Sequence, residues 1–181
     1  MSSLRDSSAS DHRTGDIVGI DLDAITKDRE KIKKEYLPAA DSRPASSARG
    51  VHHVALISSD VRATIEFYQG LLEFPLTEIF ENRDYAGSNH FFFDVGAGNL
   101  LAFFDLPGLD LKEYAEVLGG LHHIAISVTR EKWDYLRAKL DEAGREYMVE
   151  SKTSIYLTGP DGERVELLGD PLGEMYGTKV L

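Results

Sequence analysis

Two rhythms of apolar and polar positions run along this chain, and they recur in the same order twice. Val51–Ser58 is apolar after a pair of histidines and reads as a buried strand. Asp60 follows as a helix N-cap, and Val61, Ile65, Phe67, Tyr68, Leu71 and Leu72 then recur at helical spacing. Pro75 blocks continuation of that helix, and Leu76–Phe80 alternates as a strand. After the polar loop Asn82–Asn89, two strands are predicted over His90–Val95 and Asn99–Asp105, joined by a turn at Gly96-Ala97-Gly98. The order is strand, helix, three strands.

The same order returns after a connector. Leu121–Val128 is the strand, and Arg130–Ala143 is a helix with Trp133, Leu136 and Leu140 on one face and Gly144 at its end. Glu146–Glu150, Thr153–Thr158 and Glu163–Leu168 are strands, the last two joined by Gly159-Pro160-Asp161-Gly162. The fold class is therefore α+β, built from two tandem βαβββ modules. Module one spans residues 50–105, a connector 106–120 carries a short helical piece around Tyr114, module two spans 121–169, and an irregular tail covers 170–181. Residues 1–49 differ in composition. They are expected to form a polar N-terminal arm with flexible ends and one thin amphipathic helix over Asp23–Tyr36.

The repeat places chemistry at matched positions. His52-His53 opens the first strand and His122-His123 opens its copy, so four of the six histidines occupy equivalent places. Alternation puts His53 and His123 on the same face of their respective strands, with His52 and His122 pointing the other way as structural residues. Glu166 alternates with Val165 and Leu167 on the last strand. Two histidines and one carboxylate on strands of one sheet system can converge on a cation. That donor set, with positions left open, suits a non-haem Fe(II) site. His53 and His123 are 70 residues apart and the turn glycines Gly98 and Gly162 are 64 apart. The extra length of module one falls most simply in its Asn82–Asn89 loop, and the register then sets Ala102 opposite Glu166.

Composition narrows the options. The chain has 181 residues, 42% of them hydrophobic, a net charge of −11 and no cysteine. An acidic chain without a basic run repels phosphate backbones, so nucleic acid is not expected as a partner. The lack of cysteine excludes disulfides, thiolate ligands and a thiol nucleophile. No apolar stretch reaches membrane-spanning length and the first residues lack a signal-peptide core, so a cytoplasmic protein without a membrane partner is expected.

The stretches His53–Asp60 with Phe67-Tyr68, then His123-Ile124-Ala125, then Pro160-Asp161-Gly162 leading into Val165-Glu166-Leu167 resemble the vicinal oxygen chelate superfamily. That superfamily includes glyoxalase I, extradiol ring-cleaving dioxygenases, methylmalonyl-CoA epimerase and the bleomycin-resistance proteins. The resemblance covers about Gly50 to Gly169. It implies a cupped mixed sheet around a divalent metal held by His53, His123 and Glu166. Glyoxalase I and the epimerase resemble each other in a fourth side-chain ligand at the place of Ala102. Its absence leaves the His-His-Glu pattern of the extradiol dioxygenases.

Tyr156 falls where those enzymes carry a site tyrosine, whereas Asn99 and Tyr147 stand where they carry histidines. Asn99 can hydrogen-bond but is no base, and His90, the one uncommitted histidine of the body, is the substitute. Phe91 and Phe93, with Asn99, are expected to line the cup toward a small planar substrate. The resemblance thus implies an Fe(II)-dependent dioxygenase acting on an aromatic or enediol substrate, with Mn, Ni or Zn as other metals. A glyoxalase-like lyase or isomerase and a non-catalytic binder of the bleomycin-resistance type are the alternatives. The cup can close within one chain or across a homodimer.

Overall fold

The computed structural model describes residues 21–48, 51–115, 117–175 and 177–181. The expected flexible segment Ser2–Asp16 lies outside the described residues. The chain divides into two units, Met1–Ser46 and Ser47–Leu181.

In the first unit, α1 (Leu22–Tyr36) matches the expected amphipathic stretch and begins one residue earlier. Asp21 caps it, its side chain accepting from the Ala24 N–H at 2.9 Å. Asp23 in the first turn and Lys33 and Lys34 in the last complement the helix dipole. None of its residues is buried.

The second unit holds two four-stranded mixed sheets of identical connectivity. Module one forms β1 (His53–Ile57), α2 (Val61–Ile65) with a π-helical continuation over Glu66–Leu71, β2 (Leu76–Glu81), β3 (Asn89–Asp94) and β4 (Leu100–Phe104). Module two forms β5 (Ile124–Ser127), α3 (Arg130–Glu142), β6 (Tyr147–Glu150), β7 (Ser154–Thr158) and β8 (Arg164–Leu168). The strand orders are β1-β4-β3-β2 and β5-β8-β7-β6. In each sheet the first strand runs parallel to the fourth, and the other neighbours are antiparallel. A parallel first pair needs a crossover, which the helix supplies.

Helix starts follow their caps. Asp60 accepts from the Arg62 and Ala63 N–H groups, and Thr129 accepts from the Lys132 N–H. The π segment closes with the Leu72 N–H on the Phe67 carbonyl, five residues back. Two turns share one solution. Gly98 and Gly162 each adopt a left-handed φ, 74° and 86°, which links the third strand of each sheet to the fourth.

One core serves both modules. Tyr68, Phe91, Phe93 and Phe103 of module one pack into the same cluster as Trp133, Leu136, Ile155 and Leu167 of module two. The modules are also tied by polar contacts. The Tyr68 hydroxyl donates to Glu163 at 2.7 Å, and Asp161 accepts from the Ser59 N–H.

Two expectations need correction. The connector has no helix around Tyr114 among its described residues; Tyr114 instead ties back through its hydroxyl, which donates to the Leu121 carbonyl at 2.6 Å. The tail is not wholly irregular, since β9 (Glu174–Met175) and β10 (Thr178–Lys179) pair as a short hairpin around the left-handed Gly177.

Candidate functional site

Register places the predicted site residues. In module two, Ala125 is level with Glu166, and Glu166 with Tyr156, which is level with Met148. In module one the corresponding row is Ala55, Ala102, Phe92 and Glu78. Ala102 is thus the structural counterpart of Glu166, and Phe92 that of Tyr156. His53 precedes its row by two residues within β1 and so shares its face, whereas His123 stands just before β5 and is placed on the module-two face by its contact with Glu166.

On the module-two face, His123 Nε2 lies 3.2 Å from Glu166 Oε2. The Glu166 side chain is 7% exposed, held between neighbouring strands, while His123 is 31% exposed. The Tyr156 ring meets the His123 ring edge-on with centroids 5.7 Å apart. These three predicted residues are brought together.

The expectation for the preceding histidines changes. His122 and His123 lie before the regular strand, so alternation does not govern them, and their Nδ1 atoms meet at 2.6 Å. His52 and His53 make the same contact at 2.9 Å. In module two the donors dictate a direction. Arg164 Nη1 can only donate, and it does so to His122 Nε2 at 3.1 Å. For neutral rings, the His122 proton then sits on Nδ1 and is donated to His123 Nδ1. The His123 proton is left on Nε2, aimed at Glu166. In both pairs the first histidine occupies Nδ1 of the second, and in module two Nε2 of the second faces Glu166. A ligating imidazole donates from its other nitrogen, so a metal at His123 Nε2 would require that proton to move to Nδ1 and His122 Nδ1 to accept it.

The third predicted ligand stands elsewhere. His53 lies on the module-one face, and among the described residues no three His, Asp or Glu side chains lie close enough to hold one metal ion. His123 and Glu166 are donors of the type that fills two positions of a divalent metal once Nε2 has lost its proton, and the set is not closed as the chain is arranged.

His90 stands on the His53 face, level with Phe104 on one side and Phe80 on the other. Its ring stacks on Phe104 at 3.8 Å and lies 4.2 Å from Phe92. Its Nε2 is buried with no hydrogen-bond partner. Burial first, and the neighbouring His53 second, hold its imidazole below the usual histidine range.

The aromatic lining differs from expectation. Phe91 and Phe93 are fully buried and pack toward the core, against Phe103 and, for Phe93, Tyr68. Alternation along β3 puts Phe92 and His90 on the open face instead, so the wall there is Phe80, Phe92 and Phe104. Asn99 is a turn residue: its amide donates to the Gly96 and Ala97 carbonyls at 3.2 and 3.3 Å. Its counterpart in module two is Glu163, whose part sequence reasoning missed. Glu163 is buried and takes hydrogen bonds from the Tyr68 hydroxyl and the Asp161 N–H. Its carboxyl is raised by burial, and the Tyr68 phenol is pushed well up by burial and by the Glu163 charge. The only sequence signal was a charged residue beside a glycine turn. A cavity of about 870 Å³ beside β1, bordered by Tyr114, Pro160 and Glu163, contains none of the predicted ligands.

Among the described residues, no helix is long and apolar enough to cross a membrane. Several solved structures share this architecture. A glyoxalase/bleomycin resistance protein/dioxygenase domain from Frankia sp. EAN1pec is 20% identical over 71% of this chain and 96% of its own, with a TM-score of 0.59. The glyoxalase family protein from Enterococcus faecalis is 27% identical over 66% and 97%, with a TM-score of 0.52. The fosfomycin resistance protein FosX from Listeria monocytogenes, as a mutant complexed with Mn(II) and dihydroxypropylphosphonic acid, is 23% identical over 69% and 95%, with a TM-score of 0.51. The superfamily thus includes proteins that bind a divalent metal. Residues 50–167 match the family profile itself, and the chain belongs to the Glyoxalase/Bleomycin resistance protein/Dioxygenase superfamily.

Proposed function

We propose that this chain is a divalent-metal-dependent enzyme, and that its reaction is an Fe(II)-dependent, extradiol-type dioxygenation of a small aromatic or enediol substrate. The observation that carries the reading is the His123–Glu166 pair, 3.2 Å apart, with Tyr156 edge-on to His123 on the same face. His123 and Glu166 would hold the metal and His53 would complete the set. When bound, the metal would supply two open positions for substrate and dioxygen chemistry.

The remaining roles belong to the chain. Tyr156 is placed to donate a hydrogen bond to a substrate oxygen. His90, with a buried nitrogen and no partner for it, is the group that would take a substrate proton. Glu166, buried against its strand neighbours, holds a fixed direction. Ala102 adds no ligand where Glu166 has its counterpart, which keeps the coordination open and disfavours the four-ligand lyase pattern.

The likeness to FosX, solved with Mn(II), favours a second reading in which the metal acts as a Lewis acid and dioxygen is not consumed. Reconstitution under anaerobic conditions with Fe(II), Mn(II), Ni(II) or Zn(II), followed by elemental analysis, tests the first step. One metal per site is expected, lost in both His123→Ala and Glu166→Ala. Unchanged metal content in those variants overturns the assignment. Oxygen uptake with catechol by the Fe(II) form supports the dioxygenase reading. Turnover of an enediol without oxygen uptake supports the Lewis-acid one.

A further inference from the structure

The module-one face carries a buried polar atom that the fold leaves without a partner. His90 Nε2 is enclosed and accepts from or donates to nothing. Buried polar groups in folded proteins nearly always find a partner, so an orphan of this kind points to a group supplied from outside. Its surroundings define that group. Phe104 stacks on the His90 ring at 3.8 Å, Phe92 lies at 4.2 Å, and Phe80 approaches edge-on at 5.5 Å. Phe80 is 49% exposed and sits on β2, the outer strand of the sheet. It is therefore the member of the wall with room to turn aside.

This cluster is not part of the shared core. The shared core lies on the opposite face of the same strands, where Phe91, Phe93 and Phe103 are buried. The equivalent module-two position, Ser154, carries no ring.

We propose that His90, Phe80, Phe92 and Phe104 form a ring-binding subsite. Its ligand is an uncharged planar ring with one hydroxyl on its edge: the ring stacks among the phenylalanines and the hydroxyl pairs with His90 Nε2. Phe80 rotates outward to admit it. A neutral imidazole suits this, because it leaves a lone pair or a single N–H for a hydroxyl, and the low-lying protonation of His90 supports it. A site built around a buried polar atom discriminates strongly against an analogue that lacks the matching group. The subsite deepens the proposed aromatic substrate class, yet it uses none of the metal ligands.

Phenol and toluene are the probes, titrated into the metal-free full-length chain. Toluene has the same ring with a methyl group in place of the hydroxyl and is the more hydrophobic of the two. Because truncating a half-buried ring can disturb the sheet, the first measurement uses the unmodified protein. Long-range ¹H–¹⁵N NMR of the His90 imidazole should show a saturable Nε2 shift with phenol and none with toluene. Phenol should also bind at least tenfold more tightly than toluene. In His90→Leu the preference should reverse, with toluene binding retained as proof that the face is intact. An unmoved Nε2 resonance, equal affinities in the unmodified protein, or a phenol preference that survives in His90→Leu overturns the subsite. Loss of metal binding in a protein that still selects phenol would sink the proposed metal enzyme and leave the subsite standing.

Discussion

Tyr156 and His122 act on the site in separable ways. Tyr156 is half-buried, level with Glu166, and packs on the His123 ring. Tyr156→Phe keeps that packing and removes only the hydroxyl. Fold and metal content should be unchanged while turnover falls by about 10²–10³, the usual cost of losing an oxyanion-type donor. Single-turnover kinetics on metal-loaded protein checks this. His122 instead meets His123 through Nδ1 at 2.6 Å. With a metal on Nε2, His122 Nδ1 would be the acceptor for the His123 Nδ1 proton, so His122→Leu should weaken metal affinity by about 10–100-fold with the fold intact, measured by competition with a chromophoric chelator. The matched positions of His53 and His123 were legible in the repeat, since packing gives no reason to keep a histidine twice, and the place of Glu166 was legible from alternation along its strand. The Nδ1 contacts were not, because they depend on backbone that leaves the strand just before Ile124.

The elements were legible nearly throughout, because each carries its own punctuation: Asp60 and Thr129 as caps, Pro75 as a stop, Gly98 and Gly162 as left-handed turns. How the helices meet was not. Glu73, itself in a left-handed conformation at φ 63°, takes hydrogen bonds from Lys132, Tyr135 and Lys139 of α3. The Lys139, Lys132 and Tyr135 hydrogen bonds, in that order of effect, hold its carboxyl down to about 2. A carboxylate held low contributes stability above its ordinary value of 4.5, and that contribution is lost as pH falls toward 2. Glu73→Gln should therefore be less stable than the parent at pH 7, with the gap closing in that acid window. The side chain is one-third exposed, so the difference should stay below about 1 kcal/mol, within reach of urea unfolding at several pH values.

At the scale of the whole molecule, the two sheets share one core and one buried polar tie, Tyr68 to Glu163. Burial raises Glu163, so the native state holds its proton where the unfolded chain has released it. Stability therefore falls as pH rises from the ordinary carboxylate value through the raised one. The Tyr68 hydroxyl offsets part of that loss. Tyr68→Phe should destabilise by about 1–3 kcal/mol, the cost of a hydrogen bond to a charged group. The deficit should be largest above the raised Glu163 value, where the carboxylate is ionised, and smaller below the ordinary carboxylate value. Denaturant midpoints across that range decide it. A deficit independent of pH would mean that Glu163 stays in one protonation state throughout.

The sequence by itself determined the duplicated architecture, the register that sets Ala102 against Glu166, and the pairing of His123, Glu166 and Tyr156. These rest on periodicity, turn glycines and alternation, all local along the chain. Tertiary structure decided which phenylalanines face the core. Parity along β3 shows only that Phe91 and Phe93 oppose Phe92, and the packing of Tyr68 and Phe103 settles which side is buried. It also decided that Asn99 holds its own turn while its counterpart Glu163 joins the modules, and that among the described residues His53, His123 and Glu166 do not form a group that could hold a metal. The reason is common to all three. Each depends on how two sheets and their helices pack, and side-chain alternation within one strand carries no information about what lies across from it.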